Sequence, residues 1–384
     1  MYLKKLLILS LSIFLANCQK KTELLNFKLS KHDFNKLSSW QDDAQDLALI
    51  AFKQSCGIWS KQNTSKQIGP KFAGFVKDWL PICKEADNLN APSSIVARQF
   101  FMQHFNVYKV ESNSKGLFTG YYEPLLEGAP EKTATYSYPL YKHPDDLIMI
   151  ENLGIFNPKL KGMRISGKIK DKKLVPYASR KELDQKELPP ENVLCWVKDE
   201  VDAFFLHIQG SGRIQFEDGK VMKLGYAAQN GHSYQAIAKF LVQDGHITKE
   251  EASLQSIKAY LAKNPDKIKH YLWKNPSYVF FRQLESENAI GAMGCPLTPE
   301  RSLAIDRAFL PLGIPIWLET TPSARFEKPI QRLVIAQDTG GAIKGPIRGD
   351  LFWGASKIAE EKAGIMKEEG NYYVLLPKHL KILD

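Results

Sequence analysis

Residues 333–354 have the sequence LVIAQDTGGAIKGPIRGDLFWG, in which two aspartates flank a turn rich in glycine. The apolar run before Asp338 predicts a buried strand, and a second strand is predicted to begin at Asp350, twelve residues further on. Four glycines between the two aspartates would let the backbone approach a ligand closely. The stretch therefore predicts a β framework that carries two carboxylates, Lys344 and Arg348 at one site.

Three other kinds of site compete for this stretch. A phosphate loop does not fit, because Lys344 precedes its glycine and no Ser or Thr follows in the required place. Asp338-Thr339-Gly340 resembles the active-site triplet of aspartic proteases, but those enzymes need two triplets and this chain has one, so a protease would have to be a symmetric dimer. An aspartate in a glycine-rich turn can also simply form the turn. The stretch alone leaves the last two alternatives open.

Three further segments combine uncharged hydrogen-bonding side chains with glycines or tyrosines: 118–124 (FTGYYEP), 207–212 (HIQGSG) and 225–232 (GYAAQNGH). Such side chains suit a sugar, which offers many hydroxyls and apolar ring faces but few charges. We interpret His207 as a hydrogen-bonding residue rather than a base. The candidate substrate-binding residues are Thr119, Tyr121, Gln209, Ser211, Gly212, Tyr226, Gln229, Asn230, Gln337, Lys344 and Arg348.

Composition and periodicity place these segments in a folded chain of more than one domain. The 384 residues are 44% hydrophobic and 24% charged, which is ordinary globular usage. A solvated loop is predicted over Lys159–Lys173, with anion binding as the alternative. The elements indicate an α+β fold. Helices are predicted over 42–61, 69–86, 93–105, 234–242, 248–262 and 266–273 and from Thr298, and strands include 117–122, 193–197 and 203–208.

The N-terminus has the order of a bacterial lipoprotein signal. Two lysines precede an apolar run too short to span a bilayer, and Leu-Ala-Asn-Cys ends at Cys18. This order predicts a signal peptide over residues 1–17, a lipid on Cys18 and a tether over residues 18–40; a simple cleaved signal is the alternative. Gln19 favours the outer membrane of a Gram-negative bacterium over its inner membrane.

The net charge of +10 favours an anionic partner. In the periplasm the anionic polymer is peptidoglycan, so we expect no nucleic acid partner. The remaining cysteines are Cys56, Cys83, Cys195 and Cys295, and no spacing fits a zinc site, so no metal or cofactor is expected. Cys56 and Cys83 each end a predicted helix and could form a disulfide in this compartment, with two buried thiols as the alternative.

Together the segments resemble the membrane-bound lytic transglycosylase A family, which cleaves peptidoglycan. The likeness covers about residues 117–377 and includes the segment 275–281 (NPSYVFF). The C-terminal part is similar to the family's domain named for three aspartates, here Asp338, Asp350 and a third placed at Asp306. Residue by residue, the catalytic Asp of the family corresponds to Asp350 and its auxiliary Asp to Asp338.

The resemblance implies a fold that is mainly β with helices. A double-psi β-barrel and a helical segment would comprise residues 41–120 and 276–384, and a second β-barrel over residues 121–275 would be inserted, with the glycan groove between them. Wall-synthesis proteins are candidate partners.

The resemblance also implies a mechanism with one acid. Protonated Asp350 would donate to the glycosidic oxygen between N-acetylmuramic acid and N-acetylglucosamine and then accept the proton of the C6 hydroxyl, which closes a 1,6-anhydro ring. Desolvation or the charge of Asp338 would raise the pKa of Asp350. Lys344 and Arg348 are expected to face anionic groups of the substrate. A wall-loosening protein that binds peptidoglycan without cleaving it and the dimeric aspartic protease remain alternatives.

Overall fold

The computed structural model describes residues 27–160, 163–285 and 289–381. The predicted signal peptide and the predicted lipid site at Cys18 lie outside these residues. Within the described ranges, no helix combines the length and the apolar character needed to cross a membrane.

The helices are, in chain order, α1 (Gln45–Trp59), α2 (Val76–Asn88), α3 (Ser94–His104), α4 (Arg180–Gln185), α5 (Glu200–Gln209), α6 (Ile237–Gln243), α7 (Leu254–Lys263), α8 (Ile268–Leu272) and α9 (Lys357–Ile365). The strands are β1 (Lys28–His32), β2 (Phe105–Glu111), β3 (Gly116–Tyr121), β4 (Leu125–Ala129), β5 (Tyr138–Tyr141), β6 (Ile148–Ile150), β7 (Ile165–Lys170), β8 (Lys173–Val175), β9 (Val193–Val197), β10 (Gly212–Phe216), β11 (Val221–Gln229), β12 (Val279–Leu284), β13 (Ser302–Ile305), β14 (Pro315–Thr320), β15 (Gln331–Asp338), β16 (Arg348–Phe352) and β17 (Lys367–Pro377).

Six strands close into a barrel in the order β17, β14, β15, β13, β16, β3 and back to β17. Closure pairs each of these strands on both sides, so the ring has no open edge. β2 extends the sheet from β17, and β1 follows β2. Fully buried apolar side chains of the barrel strands, among them Phe118, Leu333, Leu351 and Val374, belong to the main core. The predicted fold class, mainly β with helices and a double-psi β-barrel, is confirmed.

The helical segment before the barrel is attached to it by a buried ion pair. Arg301 Nη2 lies 2.8 Å from Asp43 Oδ1, just before α1, and both side chains are almost completely buried. The other carboxylate oxygen of Asp43 accepts the backbone N–H of Leu333 in β15 at 2.9 Å. Loss of either charge would leave the other buried and unpaired, so the pair fixes where α1 meets the barrel.

A second domain is inserted between β3 and β13. Its sheet has the order β12, β11, β10, β4, β9 and β5. The sheet extends to Leu284, beyond the predicted boundary at residue 275, because β12 pairs with β11. Helices α5 to α8 contribute buried side chains such as Phe204, Leu241 and Leu261 to a separate apolar cluster. A three-stranded sheet, β6–β7–β8, completes the insert.

The predicted strand over residues 203–208 is wrong, because these residues lie in helix α5. The Asp199 side chain caps that helix by accepting the backbone N–H groups of Val201 and Asp202. Residues 203–207 of α5 are all buried, and the first four of them (AFFL) form an apolar run that shows no 3.6-residue period. Such a run does not distinguish a buried helix from a buried strand.

Two predicted helix starts also differ from the structure. No helix begins at Thr298, and the next regular element is strand β13. Ser302–Ile305 is buried between β15 and β16, and this packing overrides the helix-start pattern of Thr298-Pro299-Glu300. Thr248 and Glu251 do form reciprocal capping hydrogen bonds, but α7 begins only at Leu254.

Two segments expected to lack regular structure contain strands. The predicted tether over residues 18–40 includes β1, which pairs antiparallel with β2. The predicted loop Lys159–Lys173 contains β7, which pairs with both β6 and β8. β1 pairs with a strand more than 70 residues away, which local composition cannot indicate. β7 and β8 form a hairpin, but their many lysines favoured the prediction of a loop.

Cys56 of α1 and Cys83 of α2 form a disulfide, with their Cα atoms 5.4 Å apart.

Replacing both by serine should lower the free energy of unfolding by about 3 kcal/mol, because the bond closes a chain segment of 27 residues and restricts the unfolded state. Urea unfolding of the variant and of the parent, with and without reductant, measures the change. Non-reducing peptide mapping that recovered both thiols free would contradict the pairing.

Candidate active site

Asp350 lies in the middle of β16, between β13 and β3. It pairs in register with Thr119 of β3, whose Oγ1 donates a hydrogen bond of 2.6 Å to Asp350 Oδ1. The preceding Gly349 has no room for a side chain, because a Cβ atom there would lie 2.1 Å from the Tyr372 hydroxyl oxygen. Strand pairing, a side-chain hydrogen bond and close packing therefore fix the position of this carboxyl group.

Arg348 lies beside Asp350, contrary to the expectation that it would face away toward the substrate. Residues two apart on a strand point to the same side. Arg348 Nη2 donates to Thr119 Oγ1 at 2.9 Å, and the same hydroxyl donates to Asp350. Thr119 thus links the guanidinium to the carboxyl group, and the charge of Arg348 lowers the pKa of Asp350.

The pKa of Asp350 is nevertheless raised. Burial is the largest cause and brings the pKa to about 6, with a smaller contribution in the same direction from the charge of Asp338. Arg348 and the Thr119 hydrogen bond oppose this rise. Of the two causes expected from the sequence, desolvation is therefore the stronger. An Asp with a pKa near 6 can hold and release a proton close to neutral pH.

Asp338 ends β15 and is more fully hydrogen-bonded than Asp350. Its Oδ2 accepts the Tyr121 hydroxyl at 2.8 Å, and its Oδ1 accepts the backbone N–H groups of Ala292 and Thr339, each at 2.9 Å. Burial raises the pKa of Asp338, while these three hydrogen bonds oppose the rise. Burial and the neighbouring Asp338 charge also hold the pKa of Tyr121 well above its usual value. The arrangement fixes Asp338 as a hydrogen-bond acceptor.

The third aspartate, Asp306, supports the glycine-rich turn. Its Oδ2 accepts the backbone N–H of Gly345 at 2.8 Å, and its Oδ1 accepts that of Ala308 at 3.1 Å. Thr339 Oγ1 donates to the backbone oxygen of Ile305 at 2.9 Å, which ties the other end of the turn to β13. Asp306 therefore positions the segment that joins the two other aspartates.

Two candidates from the insert, Gln209 and Gln229, are held by hydrogen bonds to residues distant in sequence. Gln209 Oε1, at the end of α5, accepts the backbone N–H of Tyr122 at 3.1 Å. Gln229 Nε2 donates to Ser277 Oγ at 2.7 Å. Both amides are partly exposed, so they keep hydrogen-bonding capacity for a ligand.

Of the other candidates, Tyr226 and Lys344 are exposed, whereas Ser211 and Gly212 are buried. A Cβ atom on Gly212 would lie 2.3 Å from Leu206 Cδ1, so this glycine is required for packing. Among the described residues, no group of three or more His, Cys, Asp or Glu side chains is placed to hold a metal ion.

Comparison with known proteins agrees with this architecture. The family model for the MltA specific insert domain matches residues 117–282, and that for the 3D domain matches residues 301–376. The crystal structure of a membrane-bound lytic murein transglycosylase from Agrobacterium tumefaciens is 30% identical in sequence, covers 91% of this chain and 98% of its own, and has a TM-score of 0.81. The chain belongs to the lytic murein transglycosylase A family.

Two relatives from Escherichia coli extend the comparison. The membrane-bound lytic murein transglycosylase A of strain K12 is 28% identical over 306 residues, which are 78% of this chain and 74% of that protein. The crystal structure of E. coli MltA with bound chitohexaose is 26% identical, covers 84% of this chain and 90% of its own, and has a TM-score of 0.63.

In this member of the family, two predicted substrate-binding amides have a structural role instead. Gln337 is fully buried, and its Nε2 donates to Ala51 O at 2.7 Å and Ser55 Oγ at 3.0 Å in α1. Asn230 is also fully buried, and its Nδ2 donates to the backbone oxygens of Ala178 and Pro276. Both amide groups use their hydrogen-bonding capacity within the protein, so the prediction that they bind substrate is wrong.

Tyr234 interacts electrostatically with the site of this transglycosylase family member, although the sequence analysis did not select it. Burial and then the negative charge of Asp350 raise its pKa to about 12, while Arg180 opposes the rise. Tyr234, from the insert, is therefore within electrostatic range of the barrel carboxyl group. In the sequence, only its position two residues after the candidate sugar-binding segment 225–232 could have indicated this role.

Arg180 and His207 lie within hydrogen-bonding distance of each other, a contact that the sequence did not indicate. Arg180 Nη2 lies 3.2 Å from His207 Nδ1 and donates to Ser277 O at 2.9 Å. Burial, followed by the Arg180 charge, lowers the pKa of His207 well below its usual value. A neutral His207 that accepts from Arg180 agrees with its interpretation as a hydrogen-bonding residue.

Proposed function

We propose that this protein cleaves the β-1,4 bond between N-acetylmuramic acid and N-acetylglucosamine in peptidoglycan without water, leaving 1,6-anhydro ends, with Asp350 as its single acid and base. The observation that carries the proposal is the position of Asp350 on the barrel wall, where burial raises its pKa to about 6 in a chain of the lytic murein transglycosylase A family.

In the first step, protonated Asp350 donates its proton to the glycosidic oxygen while the bond from that oxygen to C1 of the muramic acid breaks. In the second step, the Asp350 carboxylate accepts the proton of the C6 hydroxyl, whose oxygen bonds to C1. The nucleophile is thus part of the substrate, and the enzyme ends the cycle with Asp350 protonated again. No water molecule has to be activated, so one carboxyl group is sufficient.

The hydrogen bonds of the two aspartates support this division of roles. Asp338 already accepts the Tyr121 hydroxyl and two backbone N–H groups, so it is poorly suited to exchange a proton. Asp350 accepts the hydrogen bond of the Thr119 hydroxyl through Oδ1. Its other carboxyl oxygen, Oδ2, would exchange the proton with the glycosidic oxygen. Asp338 acts on the reaction through its charge, which contributes to the raised pKa of Asp350.

The groove between the barrel and the insert would hold the glycan. The chitohexaose bound to E. coli MltA is a sugar oligomer and supports a glycan ligand here. Lys344, on the exposed turn, would meet anionic groups of the substrate. The other proposed contacts are Thr119, Tyr121, Gln209, Tyr226, Gln229 and Tyr234.

The N-terminal sequence supports attachment to the outer membrane through a lipid on Cys18, in the periplasm of a Gram-negative bacterium. The curated relatives are named as membrane-bound. A lipid anchor would hold the groove beside the cell wall, where wall-synthesis proteins are candidate partners.

Asp350→Asn should lower the production of anhydro-muropeptides from purified sacculi by at least about 100-fold, because it keeps the shape of the side chain but removes the proton donor. Mass spectrometry of the released muropeptides measures the loss. Asp338→Asn is the matched control and should act more mildly, and both variants should still bind sacculi and unfold at the parent's temperature.

An inactive Asp338→Asn beside an active Asp350→Asn would reverse the two roles. Products with reducing ends would require an activated water and would refute the anhydro mechanism. Binding of sacculi without any cleavage by the parent would favour the wall-loosening alternative. The protease alternative, which needs a second copy, gains no support from the family assignment.

The pH dependence of kcat/KM should show a basic limb near pH 6, since the rate depends on protonated Asp350 and the protonated fraction falls tenfold per pH unit above the pKa of about 6. Asp338→Asn removes a negative charge that raises this pKa, so the limb should move to lower pH. A parent enzyme whose rate stays constant from pH 5 to about 8 would contradict the assignment.

Cys18→Ser should release the protein from the membrane fraction, because the thiol that would carry the lipid is lost. Fractionation followed by a carbonate wash measures the distribution, with Cys295→Ser as the control that leaves the N-terminus intact. A Cys18→Ser protein that stayed in the washed membranes would contradict the lipid anchor.

A further inference from the structure

The β6–β7–β8 sheet of the insert has one face made of aliphatic side chains. Ile148 pairs with Gly167, Ile150 with Ile165, and Ile169 with Leu174. Because alternate residues of a strand point to the same side, these partners share one face. Ile169 is 57% exposed and Leu174 38% exposed. We call this surface the aliphatic face; its members are Ile148, Ile150, Ile165, Ile169 and Leu174.

The opposite face of the same sheet packs toward the protein. Met149 contacts the apolar cluster that contains Tyr141 and Phe280. Lys168 Nζ lies 5.2 Å from the centroid of the Tyr177 ring. One face of the sheet therefore packs against the insert, and the aliphatic face is exposed to solvent.

Positive charge borders the aliphatic face. Residues 159–173 include seven lysines and arginines and one aspartate. Lys172, in the turn between β7 and β8, is exposed beside the aliphatic face; Lys170 and Lys173 are exposed too, but they pair with each other and point by alternation to the opposite face. Phe156, in the connection between β6 and β7, is 70% exposed. The segment thus combines a contiguous exposed apolar surface with a basic rim, and such surfaces mark interaction sites.

We propose that the aliphatic face and its basic rim bind the surface of an anionic lipid bilayer. Aliphatic side chains can enter the boundary between headgroups and acyl chains while lysines at the rim contact lipid phosphates. A glycan fits less well, because the five side chains of the aliphatic face have no hydrogen-bonding groups. A second copy of the chain fits less well too, since it would bring the two lysine-rich rims together. This binding depends neither on the reaction at Asp350 nor on a lipid at Cys18.

The test uses the full chain carrying Cys18→Ser, so that no attached lipid contributes. Co-sedimentation with vesicles of phosphatidylethanolamine and phosphatidylglycerol should show binding, and vesicles of phosphatidylcholine alone should bind at least about tenfold more weakly. Adding Ile169→Asp should weaken binding to the anionic vesicles by at least about tenfold, because a carboxylate would enter the headgroup boundary. Lys172→Glu should also weaken it, because a carboxylate would replace the ammonium group in the turn beside the aliphatic face.

Ile95→Asp is the matched control, since Ile95 is 61% exposed on α3 and lies outside the insert. It should bind vesicles like the Cys18→Ser parent, and all variants should keep the parent's unfolding temperature and its activity on sacculi. Equal vesicle binding by the Ile169→Asp variant and the parent would overturn the proposal. Loss of sacculus binding in that variant would instead assign the face to peptidoglycan. A concentration-dependent dimer that Ile169→Asp abolishes, seen by analytical ultracentrifugation, would assign it to a second copy.

Discussion

The partial withdrawal of one carboxyl group from water is the constraint on which the rest of this structure depends. Asp350 is half-buried in the barrel wall, and this burial raises its pKa to about 6 despite a guanidinium linked to it through Thr119. In water an aspartate would be ionised at that pH and could not donate a proton. The opposing effects of burial and Arg348 keep the pKa in a range where the group can both give and accept a proton.

The barrel builds the environment of Asp350 by bringing together parts of the chain that are distant in sequence. Thr119 and Asp350 are 231 residues apart in sequence, yet they face each other in the parallel pair β3–β16. The insert leaves the barrel directly after β3, the strand that carries Thr119, and returns before β13. Tyr234 of the insert interacts electrostatically with Asp350.

The sequence predicted those parts of the site that depend on local pattern. Asp338 and Asp350 could be identified from the sequence because Asp338 ends an apolar run, Asp350 begins one and glycines lie between them; the family resemblance then assigned their roles. Gln337 was misassigned because its neighbours in sequence indicate a site, whereas its actual partners, Ala51 and Ser55, lie in a helix almost 300 residues away. Helix α5 was predicted as a strand because a helix buried on nearly all sides loses its periodicity. Long-range packing, which the sequence does not state, decided both cases.

Burial gives Asp350 the pKa of a usable acid, and the proposed mechanism depends on this property. Carbon-13 NMR of the aspartate carboxyl groups, with the Asp350 signal identified by its absence from Asp350→Asn, measures that pKa directly. The structure predicts a titration midpoint near pH 6. A midpoint near the ordinary aspartate value of about 3.9 would contradict the account, because the group would then be ionised throughout the range in which it has to donate a proton.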